Sequence, residues 1–219
     1  CMDAPRTSAQ GEGALFASPD DLHYMALICF LNGSLAREAV RDQYNLNWNG
    51  FTRALEETDP GNDGGLMLPY FDPEIVPRVP ESNVVRDHLD PSAASANVRA
   101  VIEAQAFSSV IHSRWMGVDI SSLYVTGGAS ANAEILQIFA DAHACPVHRF
   151  ETTNSATLGA ALRASFSHQR EQGNEQSWSA IVAPFTQPAA GSTIQPNPEA
   201  VQIYENLIPK YEALEKEHT

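Results

Sequence analysis

The chain has few cysteines, and they are far apart in the sequence. Cys1, Cys29 and Cys145 stand without a Cys-x-x-Cys pair or a histidine pattern beside them. This spacing argues against a disulfide framework and a zinc site, and it predicts a protein of a reducing compartment such as the cytoplasm. The apolar surroundings of Cys29 and Cys145 predict packed thiols rather than nucleophiles. Seven histidines also lack the spacing of metal ligands, so we expect no metal site.

Basic side chains are scarce as well. The 13 Lys and Arg residues face 27 Asp and Glu residues, which gives a net charge of -14. Such a charge argues against nucleic acid or an anionic membrane as the main partner. No apolar run has the length of a membrane span, and the first residues have no signal-peptide pattern. Because the chain begins Cys1-Met2-Asp3, we expect it to be a fragment of a larger protein.

The length and composition predict one good-sized core, or one domain with a satellite, since 43% of the 219 residues are hydrophobic. We divide the chain into a loose lead-in (1–13), a main domain (14–170) and a C-terminal extension (171–219) that ends in a helix. The apolar run 24–31 predicts a buried strand or the start of a buried helix, which periodicity cannot separate. Residues 72–92, with four of the prolines, predict an irregular surface segment, and residues 173–198 a polar, Pro- and Gly-containing loop.

The most informative stretch lies at 121–132 and leads into a helical pattern. Leu123, Tyr124 and Val125 predict a buried strand, and a helix with one apolar face follows from residue 133. Between them Gly127 and Gly128 allow a sharp turn and the close approach of a ligand to the backbone at a helix N-terminus. The same glycines also suit a plain strand-to-helix turn without a ligand, and their spacing alone slightly favours that interpretation.

Further patterns around this stretch predict an α/β core. Helices and strands alternate from 92 to 165, starting with the longest helical pattern at 92–115. Residues 146–150 predict a strand, and the helix 156–165 carries small residues, including Gly159, that would allow close packing on a sheet. We expect Asp141 to face solvent from its helix and Asp119 to lie in a loop.

Three segments in a fixed order carry a family resemblance. They are the run Val125-Thr126-Gly127-Gly128-Ala129-Ser130-Ala131-Asn132 with the helix after it, the strand start Pro146-Val147, and the helix start Asn154-Ser155-Ala156-Thr157-Leu158-Gly159-Ala160-Ala161. Together they resemble the adenosine-binding region of the FGGY carbohydrate kinases. Residues 24–30, 32–38 and 204–211 resemble the D-xylulose kinase branch of that family, in particular its eukaryotic-type members. The resemblance covers nearly the whole chain but only the C-terminal half of such a kinase.

This resemblance implies the actin-like, ribonuclease H-like second domain of a two-domain sugar kinase, with the N-terminal part missing. It implies that Gly128, Ala129 and Asn132 contact ATP or ADP, that Gly127 shapes the turn, and that Trp48 lines the adenine side. A flat indole and an amide with both donor and acceptor suit adenine. Two alternatives stay open, since Trp48 also suits a core or helix contact and Asn132 also suits a helix cap.

The resemblance also implies what the chain lacks. The phosphate-gripping Gly-Thr-Ser-x-Thr hairpin, the catalytic aspartate and the sugar-binding residues of the family have no counterpart here. Phosphoryl transfer needs a base, Mg²⁺ and a grip on the γ-phosphate, and none of these can be assigned within the chain. We therefore predict no catalytic residue and no activity for the chain alone, with the missing domain, ATP, Mg²⁺ and a ketopentose as partners of the whole protein.

Two other functions remain open at this point. Another FGGY kinase, acting on glycerol, ribulose, gluconate or fuculose, would share the same domain. A non-catalytic actin-like or Rossmann-like binding module is a different class. The Rossmann version is disfavoured because no Gly-x-Gly-x-x-Gly motif follows a strand, so the downstream acid Glu151 has no such motif to serve.

Overall fold

A long central helix, α3 (Ala94–Ser113), organises the fold in the computed structural model, which describes residues 2–150 and 154–219. Residues on every side of this helix are buried. The helix contacts α1, α2, α4, α7 and strand β3, whose bounds are given below. Gly117, just after α3 and a short 3-10 turn (Arg114–Met116), has a φ of 59°, which ends the helical path. The helix predicted at 92–115 is confirmed.

The remaining elements follow in chain order. The other helices are α1 (Ser34–Gln43), α2 (Trp48–Glu56), α4 (Ala133–His143), α5 (Ser155–Glu171), α6 (Trp178–Val182) and α7 (Pro198–His218). The strands are β1 (Ala14–Ala17), β2 (Tyr24–Leu27), β3 (Leu66–Tyr70), β4 (Asn83–Asp87), β5 (Leu123–Val125) and β6 (Val147–Arg149). Further 3-10 turns cover Asn62–Gly64, Gly128–Ala131 and Ala183–Phe185.

Within the described residues the strands form three two-stranded sheets. The pairs β1–β2 and β3–β4 are antiparallel, with Phe16 opposite Met25 in the first and Leu68 opposite Val85 in the second. The pair β5–β6 is parallel, with Tyr124 opposite His148, and α4 is the crossover between its strands. The alternation of α3, β5, α4, β6 and α5 confirms the predicted α/β pattern.

The core lies between α3 and the elements around it. Phe51 of α2, Leu68 of β3 and Ile135 of α4 are buried against α3. Tyr204 and Tyr211 of α7 meet Phe107 of α3 edge-on, with ring centroids 5.2 and 5.8 Å apart. Edge-to-face contacts of this kind add to the burial of the rings. As a result α2 and α4 both pack against the same helix, α3.

Two predictions of burial were wrong. In the run 24–31 no residue is buried, and Met25 and Leu27 are exposed. Tyr124 of β5 is exposed too; its ring stacks on Phe150 and meets His148 at a tilt of 31°. These strands therefore carry apolar side chains, but no other part of the described residues covers them.

Two elements were missed because proline and polar residues obscure their patterns. The segment 72–92 is not wholly irregular, since β4 pairs with β3 there and extends the sheet. The loop predicted at 173–198 contains the short helix α6, whose Trp178 meets Phe166 of α5 edge-on at 5.7 Å.

Three predictions about single residues were also wrong. Asp141 is buried rather than solvent-facing, and its Oδ1 accepts hydrogen bonds from the Asn197 backbone N–H at 2.6 Å and from Gln137 Nε2 at 2.8 Å. Cys29 is exposed, whereas Cys145 is buried as expected, and burial raises the pKa of its thiol. Gly159 of α5 faces open space, so it does not serve close packing on a sheet.

The lead-in 1–13 is anchored near both ends. Met2 is buried and pairs with Tyr24 of β2, and the Glu12 carboxylate lies 2.8 Å from Nδ1 of His112. Cys1 lies outside the described residues, as do 151–153 with Glu151. The described part of the chain has no helix with the length and apolar character that a membrane span requires.

Candidate functional site

The Gly127–Gly128 turn leaves one side of the backbone open. Gly127 has a φ of 91°, a conformation that side chains disfavour, and it follows β5 by two residues. A Cβ atom added at Gly127 or Gly128 would meet no atom within 4 Å. The turn is therefore not needed for packing inside the protein, and the space beside it can take a ligand.

Asn132 caps the helix that follows the turn. Its Oδ1 accepts hydrogen bonds from the backbone N–H groups of Glu134 at 3.0 Å and Ile135 at 3.2 Å. This is the helix-cap arrangement that the sequence left open. The other end of the amide points across to α2, where Nδ2 donates to Thr52 Oγ1 at 2.9 Å.

Thr52 lies one turn after Trp48 on α2, and its hydroxyl donates to the Trp48 carbonyl at 3.0 Å. Trp48 is 45% exposed, so it is not a core residue, and Phe51 of the same helix fills the core instead. The helix α2 begins here because Asn47 Oδ1 caps it through the Gly50 N–H at 2.8 Å. One hydrogen-bonded path thus runs from the Gly-Gly turn through Asn132 and Thr52 to Trp48.

These residues surround a cavity of about 600 Å³, which is within the usual size of ligand pockets. Its lining comes from α1, α2, the 3-10 turn and the start of α4: Ser34, Arg37, Glu38, Trp48, Asn49, Thr52, Glu56, Gly128, Ala129, Ala131, Asn132, Ala133, Glu134 and Ile135. Four of the five predicted site residues, Trp48, Gly128, Ala129 and Asn132, therefore lie together. Gly127 does not line the cavity but sets the turn in front of it.

The sequence did not predict the wall formed by α1. Ser34, Arg37 and Glu38 share one face of this helix because they are three and four residues apart. Their spacing in the sequence indicates that they share a face of α1. The sequence does not indicate that this face is the one that meets α2. Thr52, four residues after Trp48, could have been found from the same spacing.

The lining of the cavity is acidic. Glu38, Glu56 and Glu134 contribute carboxylates, and Arg37 contributes a guanidinium. Burial lowers the pKa of Arg37, whose Nη1 donates to Gln105 Oε1 at 2.7 Å. An acidic lining repels phosphate groups but can accept hydrogen bonds from amino and hydroxyl groups. The cavity thus favours a neutral group with hydrogen-bond donors, such as a nucleoside, over an anion.

A second cavity, of about 250 Å³, also has Arg37 in its lining, together with Tyr70 and Glu74. The carboxylate of Glu74 is buried there and accepts hydrogen bonds from the backbone N–H groups of Leu31 and Asn32, both at 2.8 Å. Because these bonds hold the loop before α1, Glu74 has a structural role. The cavity of about 600 Å³ remains the candidate site.

No metal centre can be assigned within residues 2–150 and 154–219. These residues contain no group of three or more His, Cys, Asp or Glu side chains placed to hold a metal ion.

Comparison with known proteins places the chain in a family. Residues 24–168 match the model of the FGGY family of carbohydrate kinases, C-terminal domain. Xylulose kinase from mouse is 40% identical over 215 residues, which cover 94% of this chain. The chain spans only 38% of the length of the mouse protein.

Two solved structures show the same fold at low identity. Ligand-bound xylulose kinase and gluconate kinase, both from Lactobacillus acidophilus, each superimpose with a TM-score of 0.80 over 98% of this chain and 44% of theirs, at 21% identity. The predicted α/β fold, the actin-like second domain of a sugar kinase, is confirmed. The domain boundaries at 13 and 170 stay predictions.

Proposed function

This chain belongs to the FGGY family of carbohydrate kinases, and we propose that it is the nucleotide-binding part of an ATP-dependent xylulose kinase. The whole enzyme would transfer the γ-phosphoryl group of ATP to D-xylulose and release ADP and D-xylulose 5-phosphate. Within it, this chain would hold the adenosine portion of the nucleotide.

The observation that supports this proposal is the cavity between Trp48 and the Gly-Gly turn. A purine base could lie between the exposed part of the Trp48 indole and the backbone at Gly128, where no side chain intervenes. Asn132 and the carboxylates of the lining could pair with the amino group and the ribose hydroxyls. Because that lining repels phosphate, the triphosphate would extend out of the cavity.

The choice of D-xylulose depends on the relatives. The mouse relative at 40% identity is named a xylulose kinase. The fold does not distinguish between sugars, since the gluconate kinase superimposes as well as the xylulose kinase from the same organism. The sugar would bind in the part of the protein that this chain does not include.

The remaining machinery would also come from outside this chain. The mouse relative is far longer than the chain, and the described residues offer no metal cluster. We therefore propose that the catalytic base belongs to the N-terminal domain of the same protein, and that the groups that bind Mg²⁺ and the γ-phosphate also lie outside this chain. The exposed apolar side chains of β1 and β2, among them Phe16, Met25 and Leu27, would be covered in the full-length enzyme. Scattered cysteines support a cytoplasmic location.

A coupled assay for ADP production tests this function. The full-length protein should phosphorylate D-xylulose in preference to glycerol, ribulose, gluconate and fuculose, whereas the 219-residue chain alone should have no activity. Preference for another sugar would keep the family and change the substrate. Robust turnover by the chain alone would contradict the proposal that the catalytic groups lie outside it.

Thermal denaturation separates the kinase from a non-catalytic binding module. A ligand that binds only the folded state raises Tm, by an amount that grows with its concentration. We expect ADP and ATP at millimolar concentration to raise the Tm of the full-length protein. If neither nucleotide shifts Tm, the binding-module alternative gains support.

A further inference from the structure

Trp48 is held by a cation on one of its two faces. The guanidinium carbon of Arg41, near the end of α1, lies 4.5 Å from the centroid of the Trp48 ring. A cation within about 6 Å of an aromatic face is attracted to it. The contact joins the last turn of α1 to the first residue of α2.

Arg41 is also paired with the carboxylate of its neighbour Asp42. Its Nε and Nη2 atoms both lie 2.7 Å from Oδ1 of Asp42. Only 21% of the Arg41 side chain is exposed, although α1 is on the surface. A guanidinium suits this role because it is planar and can stack on a ring while its edge pairs with a carboxylate.

These contacts determine which part of the indole remains available. Arg41 covers one face, and Phe51 meets the ring edge-on, with centroids 5.5 Å apart and an interplanar angle of 64°. The exposed remainder of Trp48 lines the cavity together with Gly128 and Asn132. An indole held in this way loses less conformational freedom when a ligand stacks on it than a free indole does.

We propose that Arg41 is a positioning residue, which holds Trp48 so that the indole presents its open face to the purine base of the nucleotide. The proposal depends on the proposed function, because it takes the cavity to be the adenosine site. Arg41 need not touch the nucleotide, so its effect acts through Trp48.

Steady-state kinetics of the full-length kinase test this role with Arg41→Ala, Arg41→Lys and Trp48→Ala. Arg41→Ala should raise KM for ATP about two- to fivefold, the range expected for one cation–π contact, with kcat and the KM for the sugar unchanged. Arg41→Lys should recover part of the loss, since an ammonium also binds an aromatic face but cannot stack on it. Arg53→Ala is the matched control, because Arg53 is exposed on α2 and does not line the cavity.

The outcomes separate the two proposals. If Trp48→Ala raises KM for ATP but Arg41→Ala does not, the positioning role is wrong and the adenosine site stands. If neither variant changes KM for ATP, the placement of the nucleotide beside Trp48 is wrong as well. A general fall in kcat and Tm for Arg41→Ala, with both KM values altered, would show a merely structural role and overturn the inference.

Discussion

Asn132 and Thr52 join the two sides of the candidate site through one hydrogen bond, from Asn132 Nδ2 to Thr52 Oγ1 at 2.9 Å. Asn132 belongs to the Gly-Gly turn and Thr52 to the helix that carries Trp48. The same Asn132 side chain caps α4 through its Oδ1 atom. A single amide therefore has a structural task on one side and faces the cavity on the other.

Asn132→Asp separates these two tasks. Aspartate caps helices about as well as asparagine, so the free energy of unfolding should fall only by the value of the lost hydrogen bond to Thr52, about 1 kcal/mol. The carboxylate cannot donate to Thr52 or to a nucleotide, and it adds negative charge to an acidic cavity. We expect the Kd for ADP of the full-length protein to rise about tenfold, or about 1.4 kcal/mol, by calorimetric titration.

Asn197→Asp is the matched control for this variant. Asn197 caps α7 through the Glu199 N–H at 3.0 Å and does not line the cavity. It should leave both stability and ADP affinity nearly unchanged. Equal ADP affinity for Asn132→Asp and the control would mean that the Asn132 amide contributes to the helix cap alone.

His112 links the start of the chain to the last helix through Glu12 and Glu215. We predict from these contacts that the stability of the protein depends on pH. The Nδ1 atom of His112 lies 2.8 Å from Glu12 Oε1, and its Nε2 lies 3.0 Å from Glu215 Oε2, whose other oxygen accepts from the Tyr70 hydroxyl at 2.8 Å. Burial on its own would lower the pKa of His112, but the hydrogen bonds and charges of Glu215 and Glu12 outweigh it and raise the pKa above 6.5. The protonated ring is therefore favoured in the folded state.

The sign of the pH effect follows from the raised pKa of His112. The stabilisation should be complete below about pH 6.5, the pKa of an unfolded histidine, and should be lost as the pH rises through the folded pKa. His112→Gln should therefore cost about 1 to 3 kcal/mol of unfolding free energy at pH 5.5 and less at pH 8.5, measured by urea denaturation. His168→Gln, at an exposed site on α5, is the control. A cost that is equal at both pH values would contradict the account of this cluster.

The parts of the site that the sequence predicted are those set by neighbouring residues. The strand, the two glycines and the start of α4 lie within about twenty positions, and their local pattern predicts the turn at Gly127. Trp48 required the family resemblance, because nothing near it in the sequence indicates the turn far away along the chain. Its contact with the site depends on how α2 packs against α4, which is a tertiary property.

The wrong predictions have a common physical cause. An apolar run such as 24–31 predicts that its side chains are buried against another surface. It does not indicate whether that surface belongs to the same chain. Asp141 looked solvent-facing because a charged residue on a helix usually is. The backbone N–H of Asn197, 2.6 Å from its carboxylate, comes from the segment before α7 and could not be foreseen from the helix itself.

Gly128→Val in the full-length kinase tests the central claim most directly. A Cβ atom at Gly128 would meet no protein atom within 4 Å, and Gly128 lines the cavity, so we expect a valine side chain to extend into the cavity without disturbing the fold. Gly159→Val is the control, since Gly159 also faces open space but lies on α5, away from the cavity. We predict that Gly128→Val raises KM for ATP about tenfold or more at unchanged Tm, while Gly159→Val leaves KM unchanged. A normal KM for ATP in a folded Gly128→Val enzyme would contradict the assignment of this cavity as the adenosine site.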